Sequence, residues 1–211
     1  VWAVGSGGVI VKWNGTAWTA QTSGTSSYLR GIWGTGASNV WAVGQAGAIL
    51  RFDGTAWAVQ TSGTISYLRG VWGTDANNVW TVGLSGTILK WDGTAWTAQA
   101  SGSAVYLRGV WGSSASNVFA VGDNGTFLRF DGTAWAAVTT GTSVTLNGLW
   151  GVDASNVWLV GNSGLILKWN GAGLTAQSSG SLTTQVGVWG SDANNIWIVG
   201  ESGLILKRNT P

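Results

Sequence analysis

The sequence predicts an all-β protein, a β-propeller built from small antiparallel sheets, and three observations lead to this fold. Aromatic residues recur every 39 residues without a shift in register along the 211-residue chain. Each repeat contains four short apolar runs that are separated by turn residues. Charged residues make up only 9% of the chain, so we expect both faces of each small sheet to be buried against other sheets.

The repeat is clearest in the aromatic residues, which include 17 tryptophans. Two series follow the 39-residue spacing: Trp2, Trp41, Trp80, Phe119, Trp158 and Trp197, and Trp33, Trp72, Trp111, Trp150 and Trp189. Five copies, residues 1–39, 40–78, 79–117, 118–156 and 157–195, are followed by the opening of a sixth at residues 196–211. Because no linker interrupts the series, the sequence predicts a single domain over residues 1–211.

The elements of one copy follow in order from residue 29 to residue 67. Its four apolar runs are LRGIW, VWAVG, AILRF and AWAVQ, and the segments between them are TGASN, QAG and DGT. Branched and aromatic residues in short runs favour strands, and the runs are too short and too rich in glycine for helices. Tight hairpins between antiparallel strands are expected where Asn or Asp precedes Gly. These pairs begin at Asn14, Asp53, Asp92, Asp131 and Asn170.

Radial stacking of such sheets would bury both of their faces. A linear β-solenoid would have shorter coils, and a single barrel would not require so regular a period, so the propeller is the preferred architecture. The pattern contains 22 strands, because the first copy begins at its second strand and the last ends after its third. We expect six blades with incomplete terminal blades. Five blades closed by the terminal strands, or a dimer that exchanges these strands, remain alternatives.

The composition excludes most enzyme mechanisms. The chain has no cysteine and no histidine, which removes disulfides, thiolate nucleophiles, imidazole catalysis and Cys-His zinc sites. The formal net charge is only +2 and gives little support to nucleic-acid binding. No apolar run approaches the 18 residues of a membrane-spanning helix. We therefore expect a protein that is not an enzyme, uses no cofactor or metal, and neither binds nucleic acid nor inserts into a membrane.

Two sets of basic residues recur between copies. The first lies on the third strand: Lys12, Arg51, Lys90, Arg129, Lys168 and Lys207. These cations could hold an anionic partner, but side-chain stems that lie over neighbouring tryptophans are the favoured interpretation. The second set lies at the start of the first strand and pairs tyrosine with arginine: Tyr28 and Arg30, Tyr67 and Arg69, Tyr106 and Arg108. Three such arginines could bind a carboxylate or phosphate, and a structural packing role is at least equally well supported.

A third constellation pairs a tryptophan on the first strand with an asparagine six residues later. A flat ring and a planar amide on adjacent turns could bind the apolar face and the hydroxyl groups of a sugar. The opposing interpretation is that the tryptophans pack between blades and the asparagines cap their own turns, and it is favoured at any single position. The candidate residues are Trp33, Asn39, Trp72, Asn78, Trp111, Asn117, Trp150, Asn156, Trp189 and Asn195.

One position in the turn between the second and third strands differs in every copy. It is occupied by Ser6, Gln45, Leu84, Asp123, Asn162 and Glu201. A ligand that binds at this position cannot bind identically in every blade. The spaced aspartates Asp75, Asp153 and Asp192 form no carboxylate pair in the sequence, and they offer too few ligands for calcium.

Residues 68–99, LRGVWGTDANNVWTVGLSGTILKWDGTAWTAQ, resemble a blade of the bacterial-neuraminidase-repeat propellers, in particular the photosystem II assembly-factor type. The pattern also resembles, more weakly, the tryptophan-rich tectonin and tachylectin lectin propellers. The resemblance covers the whole chain. It implies that DGT joins the third and fourth strands, that LRGVW is innermost and that AWTAQ is the outer edge. The turn at Asp53 keeps the acid, glycine and tryptophan of an Asp-box but lacks its leading serine.

The leading functional hypothesis is a non-enzymatic module that binds carbohydrate through several equivalent shallow sites. The alternative, which the assembly-factor resemblance implies, is a scaffold that binds a protein partner on one face of the propeller. A third possibility is a recently duplicated or designed repeat with no evolved ligand. A sequence without an initiator methionine or signal peptide is expected of a processed or recombinant chain, and an extracellular or periplasmic location is favoured.

Overall fold

A computed structural model describes residues 1–208, and in this range the chain forms 22 strands in six antiparallel sheets. Sheets 1 and 6 have three strands and the other four have four, as the sequence predicts. Within residues 1–208, sheet 1 lacks the first strand of the repeat and sheet 6 lacks the fourth. Within each sheet the strands are hydrogen-bonded in chain order. All-β architecture with six sheets is thus confirmed.

The sheets are numbered along the chain. Sheet 1 contains β1 (Trp2–Val4), β2 (Ile10–Trp13) and β3 (Trp18–Gln21). Sheet 2 contains β4 (Leu29–Gly36), β5 (Asn39–Gly44), β6 (Ile49–Phe52) and β7 (Trp57–Gln60). Sheet 3 contains β8 (Leu68–Asp75), β9 (Asn78–Gly83), β10 (Ile88–Trp91) and β11 (Trp96–Gln99).

The later sheets repeat this order. Sheet 4 contains β12 (Leu107–Ser114), β13 (Asn117–Gly122), β14 (Phe127–Phe130) and β15 (Trp135–Ala137). Sheet 5 contains β16 (Leu146–Asp153), β17 (Asn156–Gly161), β18 (Ile166–Trp169) and β19 (Leu174–Gln177). Sheet 6 contains β20 (Gln185–Asp192), β21 (Asn195–Gly200) and β22 (Ile205–Lys207). Single 3-10 turns precede the third strand of the repeat at Ser6–Gly8, Gln45–Gly47, Leu84–Gly86, Asn162–Gly164 and Glu201–Gly203.

The sheets are distributed over two compact units. Val1–Ala100 holds sheets 1 to 3, and Ser101–Pro211 holds sheets 4 to 6, described as far as Arg208. The single domain over residues 1–211 stays a prediction, and each unit is treated separately below.

The first strand of the repeat is longer than the sequence predicts. The loop expected at residues 35–39 is wrong, because β4 continues to Gly36 and only two residues separate it from β5. Glycine permits this extension: a Cβ on Gly34 would lie 2.8 Å from the carbonyl oxygen of Asn39 on the paired strand. The register shifts twice along β4, once between Leu29 and Gly31 and once between Gly34 and Gly36. The first shift places Arg30 at a β-bulge.

Neighbouring sheets of a unit bury their facing apolar residues in one core. In the first unit, Trp41 of sheet 2 is 0% exposed and packs against residues of sheet 3, among them Leu68, Trp91 and Trp96. In the second unit, Trp158 of sheet 5 packs against Ile196 and other residues of sheet 6. The prediction that adjacent sheets bury each other is therefore confirmed inside each unit.

Across the described residues, the structure contains no helix with the length and apolar character that crossing a bilayer requires.

Candidate functional site

Four of the five first-strand tryptophans of the predicted sugar site pack against the first strand of a neighbouring sheet. Trp33, Trp72, Trp111 and Trp150 are half-buried, and Trp33 and Trp72 have ring centroids 6.4 Å apart. A Cβ on Gly190 would lie 2.8 Å from the ring of Trp150, so this ring covers the glycine of the following first strand. Trp189 of sheet 6 is 63% exposed. Four of the five predicted rings therefore have a packing role.

The asparagines of the predicted sugar site are engaged in their own turns. The amide nitrogens of Asn78, Asn156 and Asn195 donate to the aspartate carboxylate three residues earlier, at 2.8–3.2 Å. The amide of Asn39 donates to the hydroxyl of Thr35 at 2.8 Å. Asn117 accepts a hydrogen bond from the Arg129 guanidinium at 3.1 Å. A sugar site at the ten residues stays a prediction, and its amides would have to exchange these partners.

The third-strand cations lie over tryptophan rings, as the packing interpretation expects. Lys12 is 4.9 Å from the centroid of Trp2, and Arg51 is 5.1 Å from that of Trp41. The corresponding lysines of sheets 3, 5 and 6 lie 5.1–5.3 Å from the second-strand tryptophan of their own sheet. Each of these cations therefore contacts the second-strand tryptophan of its own sheet, a contact that stabilises the sheet.

The aspartate turns hold their carboxylates by hydrogen bonds. One oxygen of Asp53 accepts from the backbone N–H of Thr55 at 2.8 Å, from that of Ala56 at 3.0 Å and from the Thr55 hydroxyl at 2.7 Å. The Ala56 N–H is the largest cause that lowers the pKa of Asp53 from 3.8 to about 2, followed by the Thr55 hydroxyl. Asp92 and Asp131 have the same turn and pKa values of about 2. In the described part of the chain, no group of three acidic side chains could hold a metal ion.

These lowered pKa values predict an acid-dependent stability. A carboxyl whose pKa is lower in the folded than in the unfolded chain stabilises the fold above its unfolded pKa, and this contribution is lost as the pH falls through the folded value. Between about pH 4 and pH 2, we expect the urea midpoint of unfolding to decrease. In the triple variant D53N/D92N/D131N this decrease should become shallower, because an amide does not titrate in this range. The variant should still fold, since Asn14 holds the same turn in sheet 1 by accepting hydrogen bonds from the N–H groups of Thr16 and Ala17. An equally steep decrease in the variant would contradict the assignment.

The structure brings together two positions that the sequence analysis treated apart. The bulge residue of the first strand and the variable residue of the following 3-10 turn or tight turn lie 15 positions apart and meet at one end of each sheet. A backbone hydrogen bond fixes this arrangement: the N–H of Gln45 donates to the carbonyl oxygen of Tyr28 at 2.9 Å, and the same bond recurs in sheets 3 to 6. We call these residues the bulge–turn pairs: Arg30 and Gln45, Arg69 and Leu84, Arg108 and Asp123, Asn147 and Asn162, Val186 and Glu201.

In sheets 4 and 5 of the second unit, the two side chains of each bulge–turn pair contact each other directly. Arg108 forms an ion pair with Asp123. The amide of Asn147 donates to the Asn162 side chain at 2.8 Å and to the carbonyl oxygen of Gln185 at 2.9 Å. The sequence shows that the turn residue differs in every copy, but it could not show that this residue meets the bulge residue of the first strand. The register shift that joins them leaves no trace in the hydrophobic period.

In the first unit the same end of the sheets is basic. Arg30 is exposed, and the rings of Tyr28 and Tyr67 are 6.2 Å apart. The three carboxylates of this unit, Asp53, Asp75 and Asp92, lie in the turns at the opposite end of the sheets. Arg30 therefore stands at an end where the described residues of this unit place no acidic side chain. A groove of about 840 Å³ opens at this end beside the 3-10 turn of sheet 2.

The comparisons with known proteins agree with this architecture. No protein-family model matches the sequence, and no curated protein matches it either. A solved structure described as YCF48 bound to a D1 peptide is similar with a TM-score of 0.78 and 17% identity, over 100% of this chain and 74% of that chain. YCF48 from Cyanidioschyzon merolae is similar with a TM-score of 0.50 and 12% identity, over 99% of this chain and 91% of that chain. The chain therefore has the β-propeller fold of these YCF48 structures.

Proposed function

We propose that the protein is a non-enzymatic module that binds a segment of a partner protein, and that the bulge–turn pairs of the first unit select this segment. The observation that carries the proposal is that the turn residue of the pairs differs in every repeat, next to an arginine at the bulge in sheets 2 and 3. A surface that changes from sheet to sheet suits a ligand that also changes along its length, as a peptide does. Several identical sugar units would instead require equivalent positions.

The chemistry of the first unit favours an acidic segment. Arg30 is exposed and can donate to a carboxylate in bidentate geometry, and the acidic side chains of its unit lie at the other end of the sheets. Val59 and Ile65, which line the neighbouring groove, are 60% and 90% exposed and could receive apolar side chains of the same segment. We therefore expect a peptide that combines carboxylates with apolar residues.

The fold comparison supports the same class of function. One of the similar YCF48 structures is described as bound to a peptide, which supports a peptide as the class of ligand. At 17% identity the likeness concerns the fold, so the peptide of that protein is not assigned to this chain. Carbohydrate binding receives no support from these comparisons, and the amides that would bind sugar hydroxyls already have partners.

The proposal is tested with a library of random dodecapeptides displayed on phage. Selected peptides should be enriched in Asp and Glu. We expect R30A to bind a selected peptide about tenfold more weakly or worse, because a charge-assisted bidentate contact is lost. The control K12A removes the same charge from a third strand and should bind within about twofold of the parent, since screening limits distant charges.

Two results would contradict the proposal. One is selection of peptides that bind equally well to the parent and to R30A. The other is failure of the library to yield any specific peptide while a glycan array gives binding that free sugar inhibits, which would restore the carbohydrate hypothesis.

A further inference from the structure

Three side-chain amides of the second unit are joined where sheets 5 and 6 adjoin, and we call them the amide cluster: Asn147, Asn162 and Gln185. The amide nitrogen of Asn147 donates to the Asn162 side-chain oxygen at 2.8 Å and to the backbone carbonyl oxygen of Gln185 at 2.9 Å. The side-chain nitrogen of Gln185 donates to the carbonyl oxygen of Gly164 at 3.3 Å. The cluster thus connects β16 and β20 with the 3-10 turn Asn162–Gly164.

Gln185 stands where the other repeats have a buried leucine. It is 0% exposed, and the leucines at its repeat position are at most 1% exposed. These are Leu29, Leu68, Leu107 and Leu146. Within residues 1–208, the side-chain oxygen of Gln185 has no hydrogen-bond partner. Buried polar atoms without a partner are few in native proteins, and a leucine would avoid this one, so the amide serves something other than packing.

The two asparagines of the cluster keep one acceptor and one donor for a further group. The side chain of Asn147 bonds through its nitrogen, and that of Asn162 bonds through its oxygen. In the part of the chain that the structure describes, the Asn147 oxygen and the Asn162 nitrogen have no partner. A primary amide offers an oxygen that accepts and two N–H groups that donate, so it is complementary to both atoms.

A groove of about 470 Å³ opens beside the 3-10 turn of sheet 5. Asn162 lines it together with Val144, Leu165 and Leu182, and Leu182 is 87% exposed. None of its lining residues in the described range is charged. A ligand in this groove can combine an amide with apolar groups, whereas a carboxylate or an ammonium group would find no opposite charge in the lining. The volume exceeds that of a single amide group, so the ligand has flanking residues.

This groove lies at the same place in the repeat as the groove of the first unit. Leu182 occupies the repeat position of Ile65, and each lines its own groove. Asn147 occupies the repeat position of Arg30, so an amide stands where the first unit has a cation. Similar apolar linings beside different polar groups indicate two sites that select different ligands.

From these observations we infer a second binding site, in which the amide cluster binds the side-chain amide of Asn or Gln in a segment of a partner protein. Asn147 accepts a hydrogen bond from this amide, Asn162 donates to it, and the groove holds its apolar neighbours. Gln185 is a positioning residue, because its backbone oxygen holds Asn147 and its side chain holds the turn at Gly164. The site lies in the second unit, goes beyond the proposed function and does not depend on it.

The test begins with a library of random dodecapeptides on phage, selected against the R30A variant so that the proposed site at Arg30 does not contribute. Selected peptides should be enriched in Gln and Asn and poor in charged residues. In the free peptide, replacing the selected amide residue with the matching acid should weaken binding about tenfold or more, measured by fluorescence anisotropy. The reason is that a carboxylate cannot donate to the Asn147 oxygen.

Two further variants in the R30A protein separate the hydrogen bond from the fold. N162D keeps the oxygen that accepts from Asn147 but removes the donating nitrogen, so it should bind the selected peptide about tenfold more weakly. S163A keeps the amide cluster and should bind within about twofold of R30A. Asp123 and Ala46 occupy the repeat positions of these two residues, so both variants are expected to fold, and far-UV circular dichroism checks this.

Q185L in the same protein tests the positioning role. Leucine is the residue of the other repeats, so the urea midpoint of unfolding should stay the same or rise, while binding of the selected peptide should weaken about threefold or more. A purely structural role would instead lower the midpoint and leave binding by the folded protein unchanged.

Four results would overturn the inference. They are a selection that yields no specific peptide, selected peptides without a side-chain amide, equal binding by N162D and S163A in folded protein, and equal binding by Q185L and R30A.

Discussion

Replacing Gly47 with alanine is expected to lower the free energy of unfolding by about 3–5 kcal/mol, or to prevent folding. Gly47 has φ +68, and a Cβ at this residue would lie 1.9 Å from the carbonyl oxygen of Thr64. Neither group can move easily, because the N–H of Gly47 donates to the carbonyl oxygen of Ser66 at 2.9 Å in the same loop. Urea unfolding followed by tryptophan fluorescence measures the loss.

Gly63 provides a control with the same backbone and no crowding. Its φ is +70, and nothing lies within 4 Å of the place where a Cβ would stand. Gly63→Ala should therefore lower the free energy of unfolding by only about 1 kcal/mol, the strain of a left-handed alanine. Ala46 shows that the fold accepts such a residue, since it has φ 54. Equal losses at residues 47 and 63 would show that backbone strain decides the effect and that the contact with Thr64 does not.

The strands could be predicted from the sequence because their signals are local. A run such as VWAVG is branched, aromatic and bounded by glycine or asparagine, and β5 covers Asn39–Gly44 accordingly. The incomplete first and last sheets followed from the strict period alone. The extension of β4 to Gly36 could not be predicted in the same way, because glycines that read as loop residues serve here to let two strands approach closely.

The bulge–turn pairs were only partly accessible from the sequence. The variation at residues 45, 84 and 123 is visible when the repeats are aligned, and so is the tyrosine-arginine set. Their meeting depends on a bulge at Arg30 and on a backbone hydrogen bond between Gln45 and Tyr28. Neither feature needs a particular side chain, so neither leaves a residue signature. The tryptophan and asparagine pairs are, by contrast, easy to recognise in the sequence. The tryptophans pack between sheets and the asparagines bond within their turns, so both residue types recur at every repeat.

The largest side-chain effect is expected at Trp41. This residue is 0% exposed, and its ring lies 5.1 Å from that of Trp91 and 5.2 Å from that of Trp96. Trp41→Ala would leave a cavity between sheets 2 and 3 that these rings cannot fill by small movements. We expect the free energy of unfolding to decrease by about 3–5 kcal/mol, measured by urea denaturation with circular dichroism, which does not depend on the number of tryptophans.

Trp197 is the matched control, because it occupies the same repeat position in sheet 6. It is 42% exposed and has Lys207 5.3 Å from its ring, but it carries no neighbouring sheet on that face among the described residues of its own unit. Trp197→Ala should therefore cost about 1 kcal/mol, mostly through lost contact with the lysine stem. A loss at residue 197 as large as that at residue 41 would mean that this face is buried in solution. The ratio of the two losses thus measures, for one side chain at one register position, how much stability comes from the sheet that covers it.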